Sequence, residues 1–310
     1  MAAPNLGQLI ATTIPRYQKE ITDQIFNGSK TLMAFTKKGM KERWDGGAPL
    51  RFPLEYARNP NTKWMSEFAQ YDILPVNVID ASNHDWVSIA TTVNITHKEK
   101  VLNSGQFAAI RLSEAKIKNA ATSITERWNL DIFNDGTDAD AFQGLRYIIS
   151  SANTYGGIDR TVASNAFFRP SYTDTAAEPL TIAKIAASVD NSTYGMVGPD
   201  MMVTTLTLYE KFEALAESFK LISQSREGTL GFDHLYFRGI PLWWERDCPA
   251  GHFFTLTSGH LKMICHPDWE FKVLPARETT QPLEIIPIEW WGQFICTGPR
   301  WQALQSGKTA

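Results

Sequence analysis

SNHDWVSIATTVNITHKEKVLNSGQFAAIRLSEAKIKNAATSITERWNLDIFNDG, residues 82–136, is the stretch whose reading decides the fold. Its first part has period two: Val87, Ile89, Thr91, Val93 and Ile95 alternate with Trp86, Ser88, Ala90, Thr92 and Asn94. That alternation predicts a strand over Ser82–Thr96 with the valine and isoleucine face on a core. The pattern then changes to one helical face, with Phe107, Ile110, Ile117, Ala121, Ile124 and Trp128 at steps of three, four and seven residues. Asn103 or Ser104 suits the N-cap, and Asn134-Asp135-Gly136 is a stop signal. The expected helix, 104–134, is a rod of about 45 Å at ~1.5 Å per residue. Such a rod organises a sheet laid along it.

Upstream, Asp45-Gly46-Gly47 is a turn, and Leu50 to Tyr56 alternates apolar with polar residues. Pro53 gives no N–H to a ladder, so this is an edge strand or a two-stranded ribbon. Arg58-Asn59-Pro60-Asn61-Thr62 reads as its tip, Trp64 to Leu74 as its return and Pro75 as its close. A lone ribbon is marginal in water and needs a neighbour, in this chain or another. Arg51, Arg58 and Lys63 alternate with Glu55, Glu67 and Asp72, and Trp64 lies beside the tip. These seven residues suit either a solvated ribbon or an arm laid across a second subunit, pairing charges and adding edge hydrogen bonds. Before the ribbon, Tyr17–Phe26 and Leu32–Met40 read as short helical pieces broken by Gly28 and Gly39.

Downstream, residues 140–268 read as a compact α/β or α+β unit. Helices are expected over Thr181–Asp190 and Leu208–Ile222, and a strand over Met201–Thr205. Phe232–Phe237 with Leu242–Glu245 reads as a hairpin, and His252–Leu256 and Leu261–Cys265 as further strands. From Glu270 the chain is β-rich again, over Phe271–Leu274, Leu283–Glu289 and Trp291–Cys296.

The 310 residues allow one elaborate domain or two modest ones and bury roughly 75% of the unfolded surface without staples. A net charge of −3 argues against simple electrostatic binding of nucleic acid. Residues 1–45 carry seven Lys/Arg against four Asp/Glu, so this segment is +3 and the remainder −6. Three cysteines make no disulfide framework and fit a reducing compartment. No signal peptide and no apolar run of membrane-spanning length is present. Cys248-x-x-x-His252 has zinc-ligand spacing, but Cys265-His266 are strand neighbours that point to opposite faces, so buried thiols are the stronger reading. No nucleophile elbow, phosphate loop or dinucleotide fingerprint occurs, and no metal or cofactor is expected. Trp243-Trp244 and Trp290-Trp291 would suit sugar stacking. On strands, each pair is expected to place one ring in a core and one at a contact.

The order of these parts resembles the major capsid proteins of tailed bacteriophages. The resemblance rests on Asp45-Gly46-Gly47 before a strand ending near Tyr56 and Asn59, then Asn134-Asp135-Gly136-Thr137 with Gly144-Leu145. Tyr155-Gly156-Gly157-Ile158-Asp159-Arg160 and Phe167-Phe168-Arg169-Pro170 follow. Pro199-Asp200, Phe232 to Pro241, Asp247-Cys248-Pro249-Ala250-Gly251, Trp290-Trp291-Gly292-Gln293 and Pro299-Arg300 complete the series. It implies an α+β fold with an N-terminal arm (1–45), an extended hairpin loop (46–75), a peripheral domain (76–138 and 269–310) with spine helix 104–134, and an axial domain (139–268). It further implies a non-enzymatic shell subunit forming hexamers and pentamers with itself, a virion location and assembly in a host bacterial cytoplasm. The expected partners are a separate scaffolding protein, a portal, non-specifically packaged DNA and a decoration protein, with no membrane. The 45 residues before the hairpin already supply the arm, so no proteolytic maturation is expected. An encapsulin-like nanocompartment shell protein shares the fold and is the first alternative. A Trp-rich carbohydrate-active enzyme is the second.

Overall fold

A computed structural model describes residues 29–47, 49–72, 74–102, 106–218, 224–225, 234–278 and 283–310. The expected helix Tyr17–Phe26 lies outside these residues. The described chain begins with helix Lys30–Lys37, β1 (Lys41–Arg43), β2 (Leu50–Glu55), β3 (Ile79–His84) and β4 (Val87–Thr96). A short helix, His97–Leu102, and the long helix Gln106–Ile132 come next. After β5 (Thr154–Tyr155), β6 (Ile158–Asp159) and β7 (Ser171–Pro179) come helix Ile182–Asn191, β8 (Met201–Thr204) and helix Leu206–Ser218. Next are β9 (Gln224–Ser225), β10 (His234–Phe237), β11 (Ile240–Trp244) and β12 (Phe253–Leu256). β13 (Leu261–Cys265), β14 (Lys272–Val273), β15 (Arg277–Glu278), β16 (Leu283–Cys296) and β17 (Ala303–Thr309) close it.

Two sheets carry the fold. In the first, β16 is central: β4 lies along one edge, β14 and β15 along the other, and β13 pairs with its C-terminal end and carries β1 outside it. The second has the order β7-β17-β12-β8-β11-β10-β9. The long helix lies on the first sheet through the face its periodicity announced: Ile117, Ala121, Ile124 and Trp128 are all buried, opposite Val93 and Ile95 of β4. The same core continues into the second sheet through Met201, Val203, Phe254 and Leu256. A smaller core under helices Ile182–Asn191 and Leu206–Ser218 covers the other face of that sheet.

The long helix starts at Gln106 among the described residues and ends at Ile132, two residues before the expected stop. Gly136 then turns the chain with φ +85°, and a Cβ there would strike the Tyr147 ring at 2.2 Å. The separate helix His97–Leu102 was not foreseen. Its start carries a reciprocal cap: Thr96 N donates to the Glu99 carboxylate (3.0 Å) and Glu99 N to Thr96 Oγ1 (3.2 Å). Thr96-x-x-Glu99 is therefore a capping box, a signal present in the sequence.

Pairing corrects several expectations. The return strand of the hairpin is Ile79–His84, not Trp64–Leu74, and it ends one turn before β4 rather than running into it. Leu283–Glu289 and Trp291–Cys296 are one strand of 14 residues. Its alternation ends at Gly292, where a Cβ would lie 2.3 Å from the Ile264 carbonyl, and residues 292–296 are buried on both faces. Strands β7 and β17 were not expected. β17 joins the second sheet and β13 the first, so residues 303–309 and 261–265 each sit in the sheet opposite to the expected division of the chain. Periodicity reports that a segment is a strand and which face is apolar; it carries no information on which distant strand it meets.

Two charged anchors fasten the ends of the described chain. Glu245, at the end of β11 and 8% exposed, accepts from Ser29 Oγ (3.1 Å), Thr31 N (3.0 Å) and Thr31 Oγ1 (2.9 Å). A carboxylate at the N-terminus of helix Lys30–Lys37 also opposes the helix dipole. Glu245→Ala leaves three buried donors unpaired and is expected to cost about 2 kcal/mol in denaturant unfolding. Glu245→Gln should cost less, and equal losses for the two variants would contradict the charge-assisted anchor. At the other end, Lys308 Nζ is buried and meets Glu178 at 2.8 Å, which also holds Lys184 at 2.7 Å. The hydrogen bonds from Lys184 and Lys308 hold the Glu178 carboxyl down at about 2. Its stabilising effect is full above the ordinary value of 4.5 and is lost as the pH falls toward 2. Glu178→Gln is therefore expected to lower the melting midpoint at pH 7, with the gap to the native chain closing as the pH is taken from 4.5 to 2.

Candidate assembly surface

The hairpin has a buried base and a bare end. β2 shows strict alternation, with Leu50, Phe52 and Leu54 buried and Arg51, Pro53 and Glu55 exposed. Leu50 and Phe52 pack on Ile264 and Ile295, the outer face of the first sheet, with Trp44 and Trp86 beside them. The neighbour required by the ribbon is thus, at its base, the chain itself. His84 closes the base: it is 3% exposed, lies 4.9 Å from the Tyr155 ring, and burial lowers it to about 4, so it is neutral at pH 7.

Beyond Glu55 the described residues 57–78 form no strand, and none of them is buried. The two sides are held together by Tyr56 Oη donating to the Asn77 carbonyl (2.7 Å), Tyr56 N to the Val78 carbonyl (3.0 Å) and Asn61 Nδ2 to the Leu74 carbonyl (3.0 Å). Arg58, Lys63, Trp64, Glu67 and Asp72 all lie exposed on this loop, and Arg51 and Glu55 lie exposed on β2. Of the seven, the structure brings together Lys63 and Asp72, as an ion pair of 2.8 Å within the chain.

The apolar residues of the loop are the ones the charge pattern hid. Trp64 is 101% exposed, Phe68 91%, Tyr71 82% and Leu74 75%, and Ile79 at the start of β3 is 69% exposed. Isolated apolar residues on a surface are ordinary, whereas several on one arm make a candidate contact surface. The signal was available in the count of aromatic residues between Trp64 and Tyr71. The hairpin is therefore amphipathic, and its apolar part is bare.

The thiols of Cys265 and Cys296 are pushed up to about 12 by burial, and Cys248 is pushed up as well. Among the described residues no group of three His, Cys, Asp or Glu side chains could hold a metal ion, and no helix is long and apolar enough to cross a membrane. The tryptophan pairs split: Trp243 and Trp290 are buried, whereas Trp244 is half-buried and Trp291 39% exposed. Trp291 stands beside Trp269, with ring centroids 6.1 Å apart.

The sequence matches no family model and no curated protein. The fold does have known counterparts. A chain of the cyanophage A-1(L) capsid asymmetric unit superposes with a TM-score of 0.64 at 15% identity, over 84% of this chain and 88% of the other. The capsid of the native GTA particle gives 0.59 at 12% identity, over 89% and 90%. The holo-SrpI encapsulin complex from Synechococcus elongatus PCC 7942 gives 0.57 at 11% identity, over 87% and 85%. The chain has the α+β fold of phage capsid proteins, which the encapsulin shares.

Proposed function

We propose that this chain is a major capsid protein whose copies close into an icosahedral shell around phage DNA. The observation that carries the proposal is the pairing of a shell-protein fold, matched over most of both chains, with an arm whose apolar side chains stay exposed among the described residues. A bare arm of this composition is costly on an isolated subunit and favourable once a second copy covers it. Each subunit then makes several modest contacts, and closure sums them.

On this reading the protein works as a structural subunit of the virion rather than as an enzyme. Its partners are copies of itself in hexamers and pentamers, with a separate scaffolding protein and a portal at assembly. A decoration protein on the outer surface of the shell completes the set. The excess of acidic over basic residues supports non-specific accommodation of DNA rather than a gripping contact. The division into arm, hairpin loop, peripheral and axial domains carries over with the two strand exchanges described above.

Electron microscopy of particles from the native source, or from co-expression with the neighbouring structural genes, tests the proposal. Closed shells containing nuclease-resistant DNA are the expected result. A strictly monomeric or dimeric protein would overturn it. The encapsulin match favours a second reading, a nanocompartment; shells that enclose an enzyme and no nucleic acid would select it.

A further inference from the structure

A polar cavity of about 410 Å³ lies at the root of the hairpin. Three segments enclose it: the end of β3 with Asn83, His84 and Asp85, the stretch between residues 136 and 143 beyond the long helix, and the Gly156-Gly157 turn between β5 and β6. Asn83 N donates to the Gly156 carbonyl (2.9 Å) and fastens the turn to the strand. Gln293 of β16 closes another side, its Nε2 donating to the Asp85 carbonyl (2.8 Å).

Two side chains of its wall hold polar atoms without a partner. His84 Nε2 and Gln143 Oε1 are both buried, and neither has a hydrogen bond among the described residues. His84 itself is 3% exposed. Burial lowers it to about 4, although the nearby Gln143 amide favours the protonated form, so its imidazole is neutral at pH 7 and one ring nitrogen can accept. Buried acceptors left unmet are rare and costly. The charges point the same way. Asp85 and Asp138 line the cavity, and among the described residues no lysine or arginine does. Asp138 is held by Arg127, whereas Asp85 forms no ion pair among the described residues. The cavity thus offers acceptors and negative charge and lacks a charged donor. A metal ion suits it poorly, since among the described residues no three His, Cys, Asp or Glu side chains stand together to hold one. A primary ammonium brings three N–H donors and a positive charge.

We propose that this cavity binds a primary alkylammonium group, with Gln143 Oε1 and His84 Nε2 accepting two of its N–H bonds and Asp85 facing its charge. The bound group bridges β3, the segment after the long helix and the β5–β6 turn, and so braces the root of the hairpin on the core. The site belongs to a single chain and does not depend on shell formation. Free polyamines and lysine side chains both carry this group.

Calorimetric titration of the full-length unassembled chain with 1,4-diaminobutane at pH 7 provides the test. Saturable binding at one site per chain is expected, with a melting midpoint that rises with amine concentration. Tetramethylammonium has the charge but no N–H and should bind at least about tenfold more weakly. Gln143→Met keeps the volume, removes one acceptor and should weaken the diamine about tenfold. Asp85→Asn changes an exposed residue and should weaken it about threefold, less so in high salt. Nα-acetyl-lysine methylamide titrated alongside separates the sources: tighter binding of the diamine assigns the site to a free polyamine, and tighter binding of the lysine analogue to a side chain. No saturable binding, equal binding of tetramethylammonium, displacement of the diamine by magnesium at matched ionic strength, or an affinity unchanged in both variants would overturn the site. The melting midpoint of each variant without amine shows whether it has folded, and the surface change at Asp85 keeps the outcome decisive if the Gln143 variant has not.

Discussion

A chain in which residues 57–78 are replaced by a short Gly/Ser linker is expected to fold normally and to form no closed particles. The described residues of this segment bury no side chain, so their loss removes little from the core. For a protein of this size ~1 kcal/mol moves the midpoint by about 2–4 °C, and the shortened chain should stay within that range. Assembly should fail outright, because the bare apolar side chains of Trp64, Phe68, Tyr71 and Leu74 go with the segment. The cut must spare β2 and β3. Leu50 and Phe52 cover Ile264 and Ile295, and a deletion that reached them would expose the outer face of the first sheet. Thermal unfolding and electron microscopy on one preparation check both halves of the expectation. Normal shells from the shortened chain would show that the arm is not the grip.

Trp128→Ala is expected to be the most damaging single substitution in the core. Trp128 is fully buried on the long helix and meets Trp290 edge-on at 4.5 Å between ring centroids, with Phe271 at 5.5 Å and Phe142 at 6.0 Å. These rings come from the helix, from β16 and from two loops, so the indole ties four segments together. Large-to-small replacement of a buried tryptophan costs about 3–5 kcal/mol, and the cavity here is bounded by stiff rings that collapse poorly into it. Trp128→Phe should recover part of the loss. Equilibrium denaturation measures the change, and a loss below about 1 kcal/mol would mean that the helix is held on the sheet elsewhere.

The sequence was legible where one periodic segment covers a whole element. The face of β4 and the face of the long helix were both read from apolar spacing, because burial of one face is a local constraint repeated every two or 3.6 residues. The stop at Asn134-Asp135-Gly136 was read from the φ that a glycine permits there. The capping box is equally local, since Thr96-x-x-Glu99 is a sequence signature of a helix start. The return strand of the hairpin was misplaced because residues 64–74 are rich in aromatics without being paired, and aromatics are enriched in strands. Six of the seven arm residues follow from charge alternation and Trp64 from its place beside the tip; Arg51 and Glu55 lie on β2 and the other five on the loop. The count of aromatics between Trp64 and Tyr71 is in the sequence, but their exposure is not, because a bare tryptophan and a buried one have the same letter.

What the sequence determined by itself is the order of parts: arm, ribbon, strand, rod, compact unit, closing strands. Turn residues, caps and apolar periods are local, and they act over distances a single segment contains. The tertiary structure alone decided which strands meet. It placed β13 with β16 and β17 with β12, carried the chain's last strand into the second sheet, and set Glu245 on a helix more than two hundred residues upstream. It also decided which apolar side chains found cover, packing Trp128 and Trp290 against each other and leaving Trp64 and Phe68 in solvent. Those outcomes depend on pairings between distant segments, each competing for a limited apolar surface, and the winner is fixed only when the whole chain is in place.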